Sequence, residues 1–124
     1  MALGDIPSRA LIAASGILGA AGVAAAAGAE HVGNERLLGS MALVALSHAP
    51  ALLALGLFGR KGPVRWAGVV LAAGAIGFCA DLATRHFTAH ALLPMLAPAS
   101  GMVMIVGWAG MALAAALFPP RDIV

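Results

Sequence analysis

The chain has 124 residues, of which 62% are hydrophobic and 10% are charged, and its mean hydropathy is +1.00. These proportions exclude a soluble globular domain, because no segment carries enough polar residues to give an apolar core a water-facing surface. The formal net charge of +2 does not indicate nucleic-acid binding, since the basic residues lie at the edges of apolar stretches, where they set membrane orientation.

Four apolar stretches, separated by three short polar segments, account for nearly the whole chain. They cover residues 9–28, 37–58, 66–84 and 92–118. A helix of about 20 residues, rising about 1.5 Å per residue, crosses a hydrocarbon core of about 30 Å. The stretches lack the alternation of barrel strands, because they are apolar on every face. The sequence therefore predicts a single all-α domain over residues 1–124, an integral membrane bundle of four transmembrane helices with short loops.

The first stretch has two interpretations. Arg9, a run of small apolar residues and Ala27-Gly28-Ala29 before Glu30 have the layout of a signal peptide with a small-x-small cleavage site. The run is near the upper length limit of a signal sequence, and we therefore interpret it as an uncleaved first helix. Cleavage is the alternative, and it would leave three crossings.

Small residues recur along three of the helices at spacings that place them on one face. They are Gly16, Ala20, Ala24 and Gly28 in the first helix, Gly74 and Gly77 in the third, and Gly107 and Gly110 in the fourth. Ser15 and Gly19 form a second small pair beside the first set. Small side chains let neighbouring backbones approach, and this contact matters because lipid supplies no hydrophobic force between helices. We expect these positions to pack against other helices; simple tolerance of small residues is the alternative.

His48 is the most informative polar residue of the second helix. It lies about 16 Å from the loop end of that helix, close to the middle of the membrane. A histidine at this depth must be neutral and hydrogen-bonded, or in contact with water or a ligand. Ser47 and the carbonyls freed by Pro50 are candidate partners. We expect a structural hydrogen bond between helices; the alternatives are haem ligation, quinone hydrogen bonding and proton transfer.

Prolines and tryptophans give further expectations about the helices. Pro50 lies inside the second helix, and Pro94 and Pro98 lie early in the fourth. An interior proline removes a backbone hydrogen bond and usually kinks a helix, so we expect a bent bundle. A widened or hydrated pocket is the alternative. Trp66 is expected to anchor a helix end at the interface, and Trp108 to face lipid or a partner protein.

A further set of polar side chains lies in or beside the loops that follow the first and third helices. This set comprises Glu30, His31, Asp81, Arg85, His86 and His90. His86 and His90 have the i, i+4 spacing that can hold a metal ion. Nothing else in the sequence reinforces that signal, and we predict a solvated loop without a metal. Asp81 and Arg85 have the same spacing, and we expect an ion pair that lowers the cost of a carboxylate near the membrane boundary.

The basic residues predict the orientation. Four crossings place both termini and the loop at residues 59–65 on one side of the membrane. That side carries five of the seven basic residues, namely Arg9, Arg60, Lys61, Arg65 and Arg121. The positive-inside rule therefore predicts cytoplasmic termini and, in a bacterium, a multi-pass protein of the inner membrane.

Four short motifs resemble those of a known membrane family. They are GAEHVG after the first helix, LSHAPALLAL in the second, GFCADL in the third and LAPASGMVMIVGW in the fourth. In this order the chain resembles the family catalogued as domain of unknown function 423, which includes the transmembrane protein 256-like proteins. The resemblance spans residues 8–118 and matches His31, His48, Pro98, Gly101, Gly107 and Trp108 to family landmarks. It implies a four-helix membrane fold and no particular activity.

The sequence also limits the function. It contains no nucleophile–base pair, phosphate-binding glycine loop, nucleic-acid motif or extramembrane domain. We predict a non-enzymatic accessory or scaffold subunit of a larger respiratory or photosynthetic membrane complex. Its partners would be the lipid bilayer and other integral membrane subunits, with no cofactor. The alternative is a binder or carrier of a hydrophobic ligand, such as a quinone, lipid or pigment, within the bundle.

Overall fold

The computed structural model describes residues 5–59 and 62–118. Helix α1 spans Ile6–His31, α2 spans Glu35–Phe58, α3 spans Pro63–Thr88 and α4 spans Leu96–Leu117. All four helices are long and apolar enough to cross a membrane, and no strand occurs in the two described ranges. The fold is therefore the predicted all-α bundle of four membrane-spanning helices. Arg60, Lys61 and Arg121, on which the predicted orientation partly depends, lie outside the described residues.

Short connections between spanning helices make successive helices antiparallel and give the bundle two different ends. The terminal end contains the start of α1, the α2–α3 connection and the end of α4. The two-loop end contains the connections at residues 32–34 and 89–95. Helix α1 packs along α2, α2 contacts α3, and α3 packs along α4. In the described part of the chain, the backbone of α4 contacts only that of α3.

The local sequence explains where the helices begin. Asp5 caps α1, because its carboxylate accepts a hydrogen bond of 2.9 Å from the backbone N–H of Ser8. Pro7 and Pro63 stand in the first turns of α1 and α3, where a missing N–H costs no intrahelical bond. Between α1 and α2, Gly33 adopts φ +81°, a conformation open to glycine because it has no Cβ.

Helix α4 begins at Leu96, four residues later than the predicted start at residue 92. Pro94 precedes the helix, and Pro98 is its third residue. Backbone N–H groups of a first turn have no intrahelical acceptor, so Pro98 removes no helix hydrogen bond. The expectation that these two prolines kink the fourth helix is therefore wrong. Pro50, in contrast, lies inside α2, which continues on both sides of it.

The face of α1 that packs inside the bundle differs from the predicted one. The buried residues are Ser8, Leu11, Ala14, Ser15, Leu18, Gly22 and Ala25. Gly16, Ala20 and Ala24 are exposed, and only Gly28 of the predicted set has a close neighbour, the Leu38 side chain. The observed face is buried because it carries two large side chains, Leu11 and Leu18, each 1% exposed. It also carries the Ser15 hydroxyl, which donates a 2.7 Å hydrogen bond to the Ala49 carbonyl of α2.

The glycines of α3 and α4 lie where these helices approach most closely. A Cβ added at Gly74 would lie 2.7 Å from Cγ of Met104 and 3.0 Å from the carbonyl oxygen of Ser100. A Cβ at Gly107 would lie 2.8 Å from Cγ of Leu71. Gly77 faces the Ser100 hydroxyl in the same way, whereas Gly110 has only an ordinary contact with Ala67. The α3–α4 interface therefore depends on missing side chains at three of the four predicted positions.

Candidate functional site

His48 lies at the centre of a hydrogen-bond network that joins α2 to α4. Its Nε2 lies 3.1 Å from the indole Nε1 of Trp108. An indole N–H can only donate, so Nε2 accepts and the proton of the neutral ring is on Nδ1. Nδ1–H lies 2.8 Å from the carbonyl oxygen of Val44, one turn earlier, and 3.2 Å from the Ser47 hydroxyl. Both ring nitrogens of this buried histidine therefore have protein partners.

This network corrects two expectations about the neighbours of His48. The carbonyl that it contacts belongs to Val44, whereas Pro50 frees the carbonyl of Leu46, four residues before it. Trp108 was expected to face lipid or a partner; it is 42% exposed, but its N–H points to α2. Ser47 is exposed, and its hydroxyl also donates to Val44, at 3.1 Å. A ligand at His48 would have to displace one of these protein bonds.

Asp81 fixes the α3–α4 connection at the two-loop end. The predicted pair with Arg85 is present, with Nε of Arg85 2.8 Å from Oδ2 of Asp81. The other carboxylate oxygen, Oδ1, accepts a 2.8 Å hydrogen bond from the backbone N–H of Leu92. Asp81 is fully buried, at 0% exposure. Its charge is therefore compensated by a guanidinium and a backbone donor, and the connection is held against α3.

The other polar residues predicted near this end do not form one cluster. Glu30, His31 and His90 are exposed, whereas His86 is half-buried. Nδ1 of His86 is buried and has no hydrogen-bond partner within residues 5–59 and 62–118. No group of three metal-binding side chains occurs among the described residues.

An apolar groove lined mainly by α1 and α3 runs beside His86. Its outer part is a cavity of about 280 Å³ lined by α1, α2 and α3, including Ala24, Gly28 and His86. A second cavity of about 220 Å³ continues toward the middle of the bundle, where Ile17 and Ile76 line it. Both cavities are lined by Ala21, Met41 and Ala83. The small residues of α1 therefore leave space beside α3 in the half of the bundle near the two loops.

A buried charge network at the terminal end was missed in the sequence. Nη2 of Arg65 lies 2.6 Å from both carboxylate oxygens of Asp5 and also donates to the Ser8 hydroxyl. The Arg65 side chain is 5% exposed and that of Asp5 27%. The hydrogen bond from Arg65, supported by the one from the Ser8 backbone, lowers the pKa of Asp5 to about 2. Asp5 followed by Ile-Pro-Ser was a detectable capping signal, but nothing in the sequence indicated a partner 60 residues away.

The remaining residue that sequence reasoning did not single out is Arg36. It lines a cleft at the two-loop end together with Arg85, Ser40, Phe78 and other residues of α2, α3 and α4. Arg36 and Arg85 are separated by 49 positions of sequence and lie on different helices. Only the packing of the start of α2 against the end of α3 brings them to one cavity.

A family model described as a protein of unknown function (DUF423) matches residues 18–101 of the chain. Because this match covers more than half of the sequence, the chain belongs to that family. The match includes all of α2 and α3, and the predicted family landmarks Gly107 and Trp108 lie beyond it. No curated protein and no solved structure matches the chain.

Proposed function

We propose that this protein is a non-catalytic accessory or scaffold subunit that binds another integral membrane protein through the outward face of α1. The supporting observation is a strip of exposed small residues along that face, bordered by the side chains of Ile17 and Val23. The strip consists of Ala13, Gly16, Ala20, Ala24 and Ala27. Lipid chains adapt to side chains of any size, whereas a row of small residues lets a partner helix approach closely. Internal packing does not require the glycine at position 16, because a Cβ there would have no neighbour within 4 Å.

The rest of the molecule is consistent with assembly inside the membrane. Helix α4 exposes several large apolar side chains, including Met102, Ile105 and Leu113, and its backbone contacts one other helix in the described part of the chain. The described connections are short, at residues 32–34 and 89–95. We propose a respiratory or photosynthetic complex as the partner assembly.

A matched pair of substitutions tests this function. Ala20→Leu adds a large side chain to the strip of small residues on α1. Ala54→Leu makes the same change at an exposed position of α2. Native membranes would be extracted in a mild detergent, and the complexes separated on a native gel and identified by mass spectrometry. We expect wild type and Ala54→Leu to migrate with other membrane subunits and Ala20→Leu to lose them. Migration of the wild type only as a monomer or homo-oligomer would contradict the proposal.

The proposal includes a location in the bacterial inner membrane with both termini cytoplasmic. The distribution of basic residues supports this orientation, since five lie on the side of the termini and two on the other side. Alkaline phosphatase, which is active only after export, would be fused to the C-terminus or inserted at residues 89–95. Activity at the C-terminal fusion alone would contradict this orientation.

A second candidate function is binding of a hydrophobic ligand, and the groove between α1 and α3 favours it. The outer cavity is almost entirely apolar, and its lining among the described residues includes the polar side chain of His86. A hydrophobic molecule with one hydrogen-bonding group, such as a quinone, suits such a lining. His48 is less suited to this role than the sequence suggested, because both of its ring nitrogens are bonded.

The ligand hypothesis has its own pair of variants. Lipids, quinones and pigments that co-purify with the wild type would be measured by optical spectroscopy and mass spectrometry of organic extracts. His86→Leu should lose a specific ligand, whereas His90→Leu, at an exposed position, should retain it. A colourless wild-type preparation with only bulk phospholipid would exclude this second function.

A further inference from the structure

The two-loop end contains a cleft of about 510 Å³ that neither proposed function uses. It is formed by the first turns of α2, the last half of α3 and the first turn of α4. Two arginines, Arg36 and Arg85, line it together with Asn34 and Ser40, and none of its lining residues is acidic. The cleft is therefore basic and rich in hydrogen-bond donors, although it lies at the edge of an apolar bundle.

Arg85 is held in a fixed position by Asp81. The ion pair uses Nε of Arg85 and Oδ2 of Asp81, at 2.8 Å. Asp81 is itself fully buried and bonded to the Leu92 N–H. No hydrogen bond to the terminal nitrogens of Arg85 occurs within the described ranges, so these nitrogens remain available to a ligand in the cleft. An anchored guanidinium loses little freedom on binding, which favours recognition of an oxyanion.

Arg36 adds a second positive charge from the opposite wall. Its side chain is exposed and forms no ion pair with the described residues. Glu35 beside it is also exposed and does not line the cleft. Helices α2 and α4 both begin here, whereas α3 ends here, so two N-terminal dipole ends face one C-terminal end. The electrostatic field of the cleft therefore favours an anion.

The floor of the cleft is apolar. Phe78 and Leu82 of α3 and Pro98 of α4 line it below the arginines. Arg85 is one turn from the end of a membrane-spanning helix, at a depth where lipid headgroups meet the hydrocarbon. A soluble phosphate would use the arginines but leave this apolar surface exposed, whereas a phospholipid would use both.

We propose that the cleft binds the headgroup of an anionic phospholipid. The phosphate accepts hydrogen bonds from Arg85 and Arg36, and an acyl chain covers Phe78 and Leu82. Lipid binding in the cleft does not depend on a partner protein at α1, because no residue of α1 lines the cleft. It assigns a role to Arg36 and gives the buried Asp81 a positioning role, since Asp81 orients Arg85.

The test is a lipid-retention measurement on the full chain in detergent. Native mass spectrometry would compare phosphatidylglycerol with phosphatidylcholine of the same acyl chains, both titrated to the same ratio. Both lipids carry a phosphate, but the choline ammonium of phosphatidylcholine would lie beside two arginines, so we expect one phosphatidylglycerol to be retained about tenfold more strongly. Equal retention of the two lipids would overturn the proposal.

Variants localise the binding. Arg36→Gln should reduce retention of phosphatidylglycerol about tenfold, whereas Arg9→Gln, an equal charge change at an exposed site of the terminal end, should leave it unchanged. Equal losses in these two variants would show attraction by net charge alone and overturn the proposal. Arg85→Lys keeps a positive charge beside Asp81 and loses the planar guanidinium, so it should fold, as checked by its thermal midpoint, and still lose retention.

A final arm distinguishes a lipid from a soluble anion. Inorganic phosphate in millimolar excess should leave the bound phosphatidylglycerol in place. Complete displacement by phosphate would show that the apolar floor does not contribute, and it would overturn the lipid assignment.

Discussion

Trp108 donates its indole N–H to Nε2 of His48 at 3.1 Å and thereby joins two helices whose backbones are not in contact in the described structure. The two ring centroids lie 5.7 Å apart, with the planes tilted by 59°. Helix α4 otherwise packs along α3. This side-chain bridge therefore links the outermost helix to the α1–α2 half of the bundle.

We expect His48→Leu to insert and accumulate at near wild-type levels. The substitution removes the acceptor of Trp108 and the local bond to Val44, but it also removes a buried polar ring. Hydrogen bonds inside membranes contribute on average about 0.6 kcal/mol, so the free energy of unfolding should fall by about 1 kcal/mol or less. Unfolding by SDS in mixed micelles would measure the change.

A double-mutant cycle with Trp108→Phe isolates the bridge, because this change removes the N–H and keeps an aromatic ring. The coupling energy should be about 0.6 kcal/mol. Ser47→Ala is the control, since the Ser47 hydroxyl is exposed and bonds within its own helix. Strictly additive losses, or failure of His48→Leu to accumulate, would contradict this account.

The number and class of the helices could be predicted from the sequence, because each apolar stretch is long enough to span a bilayer independently of its neighbours. The face through which each helix packs against its neighbours could not be predicted in the same way. Along α1, Gly16 and Ser15 belong to two faces that both carry small residues, and the Ser15 face is buried because Leu11 and Leu18 lie on it and Ala49 of α2 accepts the Ser15 hydrogen bond. The start of α4 was misplaced for a local reason: Pro94 was assigned to a helix that begins after it.

Polar contacts within one helix could be predicted from the sequence, whereas polar contacts between helices could not. Asp81 and Arg85 pair within one helix, and their spacing was sufficient to predict the bond. Asp5 with Arg65, and Arg36 with Arg85, are brought together by contacts between helices. Their positions in the sequence contain no such information, since any pairing of helix ends would have been compatible with the same apolar stretches.

The buried pair at the terminal end predicts an unequal effect of its two truncations. Asp5→Ala leaves the guanidinium of Arg65 buried without its carboxylate and also removes the cap of α1. Arg65→Met leaves a carboxylate that is partly exposed and still caps α1. Removing the partner of a buried charge is the more costly change. We expect Asp5→Ala to lower the thermal midpoint more than Arg65→Met, measured by circular dichroism in detergent. The reverse order would show that Arg65 reaches water.

Acid should weaken the same pair in a defined pH window. Hydrogen bonds from Arg65 and Ser8 lower the pKa of Asp5 from 3.8 to about 2. The folded state therefore binds this proton less readily than the unfolded state, and the stabilisation is complete above the ordinary pKa of a carboxyl group. It should be lost as the pH falls from about 4 to about 2. The free energies of unfolding of the wild type and Asp5→Asn would be compared across this range. The difference between them should shrink as the pH falls. A difference that stays constant would show that the Asp5–Arg65 pair does not stabilise the fold.

The two small-residue faces give a final, matched prediction. A Cβ at Gly74 would lie 2.7 Å from Cγ of Met104 and 3.0 Å from the Ser100 carbonyl oxygen, whereas a Cβ at Gly16 would have no neighbour within 4 Å. Gly74→Ala must therefore separate α3 from α4, at a cost of about 1–3 kcal/mol, as for other overpacked interiors. Gly16→Ala should leave the stability of the isolated protein unchanged or raise it by about 0.5–1 kcal/mol, because alanine favours the helix. SDS unfolding of both variants measures the contrast. Equal destabilisation by the two substitutions would show that α1 also packs through Gly16 within the chain, and it would remove the main support for a partner on that face.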